Sequence, residues 1–157
     1  MLRFYDIDVR YANYLRTIDS HIPNFEYDTH SKFVCGVVLN IDGIKYYAPI
    51  SHNTNSARTS LLIYDNGNPI ASIRFSFMFP AFDAVITEKN FASEASVDRN
   101  YANLLAKEYA YCNAHKDDIF KKARYVYSIG CNRNHYLSSV CCDFKNLEAA
   151  YLSYIGT

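Results

Sequence analysis

"KFVCGVVLNIDGIKYYAPI", residues 32–50, decides how this chain folds. Two runs rich in Val, Ile and Tyr, residue types that suit a pleated surface, flank Asp42-Gly43. A two-residue turn that follows the natural strand twist needs left-handed backbone at both central positions, which Asp-Gly accepts readily. The stretch is therefore expected to be a β-hairpin. It opens onto Ser51-His52-Asn53-Thr54-Asn55-Ser56, with Arg58 just behind. Such a polar run is either a solvated loop or the working edge of a site.

Upstream, "RFYDI" (3–7) alternates as a short first strand. Asp8 is placed to cap a helix whose Tyr11, Tyr14, Leu15 and Ile18 share one face, with Pro23 stopping it. Residues 24–31 are polar and predicted to be a loop. Downstream, 60–64 and 70–78 are expected to be strands around the turn chemistry of "DNGNP" (65–69), and "AFDAVI" (81–86) to add one more. The last third turns helical. Tyr101, Leu104, Leu105, Tyr109 and Cys112 fit one face. Ile119, Phe120, Ala123, Val126 and Tyr127 fit a second, ended by Gly130. Asp143 caps a third, with Leu147, Tyr151 and Tyr154 inward and Gly156 at its end. The expected architecture is α+β: a compact, strongly twisted antiparallel sheet or partial barrel with flanking helices, one domain over 1–157.

Composition narrows the function. The chain has 157 residues, half of them hydrophobic, with 15 Tyr, 10 Phe and no Trp, which is enough apolar material to build a core. Sixteen basic and 16 acidic residues leave a formal net charge of 0, so any nucleic-acid contact must come from a local patch. No apolar run is of bilayer length, and "MLRFYDIDVR" lacks the apolar core of a secretory signal. The expected location is the cytoplasm, with no membrane partner. Five cysteines without a CxxC spacing are expected to be buried thiols rather than a zinc site or a disulfide framework. No metal site and no cofactor is expected: there is no Gly-rich phosphate loop, GxSxG or HExxH, and no acidic cluster of metal-binding pattern.

The hairpin brings two loops together. Counting outward from its turn, Lys32 and Phe33 come opposite 50–53. One edge then carries Tyr27, His30 and Lys32 on one side and Ser51, His52 and Thr54 on the other. These side chains suit RNA cleavage, in which the 2′-hydroxyl is the nucleophile. The reaction needs a base, an acid and charge stabilisation at the phosphate. His52 can be base or acid, Lys32 can neutralise the phosphate, Ser51 and Thr54 can donate to it, and Tyr27 can position the scissile group. On residue types alone, a solvated His52 and an ordinary edge-strand Lys32 are the plainer account. Lys116, Lys121, Lys122, Arg124 and Arg133 form the basic concentration of the chain, tempered by Asp117 and Asp118. For these, a phosphate-contacting patch and a solvated helix face both stay open.

Four stretches resemble a known family in the right order along the chain: "FYDIDVRYANYLRTIDSHIPN" (4–24), "GVVLNIDGIKYYAPIS" (36–51), "FMFP" (77–80) and "CCDFKNLEAAYLSY" (141–154). They are similar to the opening, hairpin, FMIP element and tail of the ToxN/AbiQ toxins of type III toxin–antitoxin systems. The resemblance implies an extended barrel related to the Kid/MazF toxins. It also implies a metal-independent endoribonuclease that leaves a 2′,3′-cyclic phosphate on cellular RNA. A small structured, pseudoknot-like RNA antitoxin would inhibit the enzyme, be processed by it from a repeated precursor, and join it in a closed protein–RNA assembly. By this resemblance Tyr27, Lys32, Ser51 and His52 are the expected catalytic residues and Asn53, Thr54 and Arg58 expected RNA contacts, to which the basic concentration adds Lys116, Lys121 and Lys122. Asn53-Thr54 replace the family's Pro-Lys. Either Arg58 reaches in from later in the loop, or His52 takes over proton transfer. A non-catalytic RNA-binding module and a structural interaction domain are the competing functions.

Overall fold

The structure, a computed structural model, describes residues 1–26 and 32–156. Tyr27 and His30 therefore lie outside the described residues. Strand β1 (Arg3–Ile7) leads into helix α1 (Val9–Ile18). Strands β2 (Val34–Ile41), β3 (Ile44–Ser51), β4 (Ser60–Asp65) and β5 (Asn68–Arg74) follow, then the short β6 (Phe79–Pro80) and β7 (Ile86–Glu88). Helices α2 (Phe91–Val97), α3 (Arg99–Ala114), α4 (Lys116–Cys131) and α5 (Phe144–Ile155) close the chain. Among the described residues the seven strands form one antiparallel sheet in the order β4-β5-β3-β2-β1-β7, with β6 on β3. Helix α3 packs on β4, α4 on β2, and α5 on α1 and α4. The expected α+β architecture, a sheet with flanking helices, is the one found.

The central hairpin turns at Asp42 (φ 50°) and Gly43 (φ 90°), both in the left-handed region the sequence implied. Its register breaks between Gly36 and Leu39: Ile41 pairs Ile44, but Val34 pairs Pro49, two residues away from an unbroken count. This irregularity sets Lys32, rather than Val34 two places later, beside the end of β3.

The core is aromatic, as the tyrosine stripes suggested. Phe4 packs on Phe33 and Tyr109 with ring centroids 4.9 and 5.5 Å apart. On the other side Tyr46 meets Tyr127 and Phe144, and the Tyr46 and Tyr127 hydroxyls both donate to Glu148 Oε2, at 2.7 and 2.6 Å. Four of the five cysteines are buried, Cys131 is half-buried, and all five are free thiols.

Several elements differ from expectation. Helix α1 ends at Ile18, where Asp19 caps it, well before Pro23, and Ile18 is exposed. The strand expected over 70–78 stops at Arg74. A single 3₁₀ turn at Phe75–Phe77 then buries Phe75 and Met78, a reversal that alternating patterning does not encode. Only the end of "AFDAVI" is strand, since Asp83–Val85 is another 3₁₀ turn. Helix α2 had no apolar stripe to reveal it, and none of its residues is buried. Gly130 does not end α4, which runs on to Cys131. The glycine serves close approach: a Cβ there would lie 2.3 Å from Cε2 of Phe144. Asp8 and Asp143 cap α1 and α5 as read, each accepting a backbone N–H.

Candidate active site

The end of the central hairpin builds one wall of the site. Ile50 N donates to Phe33 O at 3.1 Å, which sets Lys32 beside Ser51. On its other edge β3 pairs with β5, and Ser51 lies opposite Ser72. Residues two apart on a strand share a face, so Arg74 joins Ser72 on the same side. A cleft of about 600 Å³ opens there. Its lining includes Lys32, Ser51, Asn53 and Arg74, with Arg16, Ser20, His21 and Asn24 from the end of α1 and its following loop.

The polar run after β3 is held in place by hydrogen bonds. Asn53 N donates to Ser51 Oγ at 3.1 Å, and Asn55 N to Asn53 Oδ1 at 2.9 Å. The Asn53 carbonyl accepts from Ser72 Oγ at 2.6 Å and from the Arg74 guanidinium at 3.3 Å. Because Ser51 Oγ accepts the Asn53 N–H, its own hydrogen remains available for a ligand oxygen. On the opposite wall His21 is braced: Nδ1 lies 2.7 Å from Asp19 Oδ1 and Nε2 lies 3.0 Å from Ser139 O. Asp19 also accepts the backbone N–H groups of His21 and Asp143. Burial works against the Asp19 carboxylate, but these hydrogen bonds and His21 hold its pKa below the usual range.

Electrostatically the cleft favours an anion. Arg16, Lys32 and Arg74 bring permanent positive charge, and no carboxylate stands among the described lining residues. Ser51 and Asn53 add hydrogen-bonding groups at the same opening, while both His21 ring nitrogens are already engaged. This is the residue set that a phosphodiester needs for neutralisation of its oxygens and hydrogen bonding to them.

His52 follows Ser51 but belongs to a different neighbourhood. Its Nε2 lies 3.4 Å from Oε1 of Glu108, a fully buried carboxylate on α3, and it is not among the cleft's lining residues. The hydrogen bond to Glu108 raises the His52 pKa, partial burial opposes it, and the carboxylate charge adds to the rise. Arg58 is also turned away: its guanidinium donates to the hydroxyls of Tyr136 and Tyr125. Thr54 is exposed on the loop outside the lining, and Lys116 is exposed at the start of α4. Lys121 and Lys122 line a separate hollow beside Tyr125. Of the expected site residues, the structure thus brings Lys32, Ser51 and Asn53 into one cleft.

Sequence reasoning did not select Arg16, His21, Arg74 or Glu108. Ser72 and Arg74, two apart on a strand, were a legible hint of a polar sheet face. Glu108 interrupts the stripe of Tyr101, Leu105 and Cys112 on α3, where an acid at a core position signals a buried partner.

Fold and cleft together define the class: a small α+β protein with a cationic cleft at the end of its central hairpin. The family described as "Toxin ToxN, type III toxin-antitoxin system" matches residues 3–152. The chain belongs to this family and is an endoribonuclease of that kind. It is 27% identical to the endoribonuclease ToxN of Bacillus thuringiensis subsp. kurstaki, covering 97% of this chain and 84% of that protein. A solved type III toxin, selectively inhibited by a non-coding RNA pseudoknot, superposes with a TM-score of 0.92 at 26% identity over 99% of both chains. AbiQ, a lactococcal anti-phage endoribonuclease of a type III system, shares the fold with a TM-score of 0.88 at 23% identity, covering 100% of this chain and 99% of its own. No helix among the described residues is long and apolar enough to cross a membrane.

Proposed function

We propose that this chain is the RNA-regulated toxin of a type III system, working over 1–157 as one ToxN-like domain in the cytoplasm. It cuts cellular RNA by attack of a 2′-hydroxyl on the adjacent phosphorus. The new bond is O2′–P and the broken bond is P–O5′, leaving a 2′,3′-cyclic phosphate and a 5′-hydroxyl. The observation that carries this is the placement of Lys32 beside Ser51, in one cleft with Arg16 and Arg74.

Charge builds on the non-bridging oxygens as phosphorus becomes five-coordinate. Lys32 and Arg74 answer that charge, and the Ser51 hydroxyl donates to one oxygen, so protein cations do the work a metal ion would otherwise do. Asn53 is the structural pivot of the turn, and its carbonyl ties the Arg74 guanidinium to the cleft rim. Tyr27, outside the described residues, is assigned a catalytic role by the family resemblance. His52 is assigned to the loop's support as well as to proton transfer. The kinetics of its variants separate the two.

The proposed inhibitor is a small structured RNA, pseudoknot-like, whose end occupies the cleft as a retained cleavage product of a repeated precursor. With formal net charge 0, the chain gains little from arbitrary RNA, and shape matching must supply the affinity. An RNA that contacts two protein chains head to tail must either close into a ring or polymerise, and the closed assembly is the form proposed.

The test is cleavage of single-stranded RNA in excess EDTA. Continued cutting, cyclic-phosphate ends by mass spectrometry and intact DNA are expected. Activity that disappears with EDTA and returns with magnesium would overturn the mechanism.

A further inference from the structure

Away from the cleft, the far end of the 52–59 loop meets the C-terminal helices in a cluster of cations and exposed rings. Tyr136 is 68% exposed and Tyr125 39% exposed, in a chain whose aromatic residues mostly pack inside. Neither ring is left loose. Tyr136 stacks on His135 with centroids 4.8 Å apart and planes 19° apart. Its hydroxyl takes a hydrogen bond from Arg58, whose guanidinium also reaches the Tyr125 hydroxyl at 3.5 Å. Lys122 Nζ donates to the Arg58 carbonyl at 3.1 Å and stands 5.7 Å from the Tyr125 ring centroid. Beside them is a hollow of about 390 Å³ lined by Leu61, Asp118, Lys121, Lys122 and Tyr125.

We propose that Tyr136 and Tyr125, framed by Arg58, Lys121 and Lys122, form a stacking subsite for unpaired bases of an RNA strand whose backbone continues into the cleft. Every base has a π-face, so aromatic rings held beside cations bind single strands without reading sequence. The rings are already fixed by hydrogen bonds and stacking, so little freedom is lost on binding. In the hollow Lys121 and Lys122 outnumber the one carboxylate, Asp118, and Arg58 beside it adds a third positive charge, which favours a polyanion over an acidic-and-basic protein surface. Loop connectivity keeps the subsite near the chemistry: Arg58 follows Asn53 of the cleft by five positions, a span of no more than about 18 Å. This inference rests on the ribonuclease reading, because it takes the bound strand to be the one presented to the cleft.

The experiment measures binding apart from cutting. The probe is a fluorescein-labelled single-stranded 2′-O-methyl RNA oligonucleotide of mixed sequence, whose blocked 2′-oxygen cannot attack, followed by anisotropy with the full chain. Tyr136→Ala is expected to weaken binding about tenfold. Tyr136→Phe keeps the ring while losing the hydroxyl that Arg58 holds, and is expected to bind close to the parent. Parent-like binding by Tyr136→Ala, or equal loss in the Ala and Phe variants, overturns the stacking subsite, as does a parent chain that does not bind the probe. Cleavage of ordinary RNA by the parent is assayed separately. A chain that binds through Tyr136 yet never cuts would keep the subsite and remove the ribonuclease reading.

Discussion

His52 Nε2 and Glu108 Oε1 lie 3.4 Å apart, joining the loop that follows β3 to the middle of α3 across 56 positions of sequence. Glu108 is fully buried and its Oε2 has no hydrogen-bond partner among the described residues. A carboxylate so placed needs a nearby positive charge, and His52, with 51% of its side chain exposed, is positioned to supply it. The contact pins the residue between Ser51 and Asn53, the two loop residues that line the cleft.

His52 titrates in a defined direction. The folded pKa of His52 is raised above its unfolded value, so the stability it contributes is fully present below about pH 6.5. That stability is lost as pH rises through the raised folded value. An NMR titration of His52 should give a pKa above the ordinary histidine value, and Glu108→Gln should bring it down. The stability gap between parent and Glu108→Gln should narrow as pH rises. An unshifted His52 titration in the parent would remove the pair from the account.

Cleft residues and loop supports should separate kinetically. Lys32→Ala and Arg74→Ala each remove positive charge aimed at the phosphate, and each should slow single-turnover cleavage by about 10²-fold or more. His52→Ala should cost less than Ser51→Ala, since His52 faces Glu108 while Ser51 lines the cleft. If the His52 variant is the slower of the two, His52 carries a proton in the reaction itself.

The contact between α4 and α5 depends on a missing side chain. Gly130→Ala would place a methyl 2.3 Å from Phe144 Cε2, so the ring or the helix must shift. Overpacking of this sort costs roughly 1–3 kcal/mol. Urea unfolding should show a lower midpoint with an unchanged slope.

Glu148 gathers two aromatic hydroxyls, from Tyr46 and Tyr127. Burial raises the pKa of both phenols, and the Glu148 hydrogen bonds raise them further, so they remain donors. Glu148→Ala would remove the carboxylate to which both donate and leave the buried Tyr46 hydroxyl with only the Phe144 carbonyl at 3.4 Å, at a cost of roughly 1–3 kcal/mol. Urea unfolding should show the Tyr46→Phe penalty shrinking in the Glu148→Ala background. Additive losses would mean that the hydroxyl finds another partner.

Much of the fold was legible because its signals are local. Asp42-Gly43 marked the central turn, Asp8 and Asp143 marked helix starts, and the stripes on α3, α4 and α5 marked buried faces. The misses have local causes too. Helix α2 buries nothing and so has no stripe, and Gly130 looks like a terminator although its purpose is contact with Phe144. The 3₁₀ turn at Phe75–Phe77 sits inside an apolar run whose pattern fits a strand equally well.

The site divides along the same line. Sequence alone determined that the hairpin ends in a polar loop and that Lys32 arrives near Ser51, because antiparallel pairing from a recognised turn is a counting problem. Only the tertiary structure decided the rest. The break in register between Gly36 and Leu39 moved the count by two. The pairing of β3 with β5 brought in Arg74, and the packing of α1 supplied Arg16 and His21. The position of α3 drew His52 toward Glu108 instead of the cleft. Which way a loop side chain turns depends on the partner that satisfies its charge, and that partner is brought close by packing of elements distant in the chain.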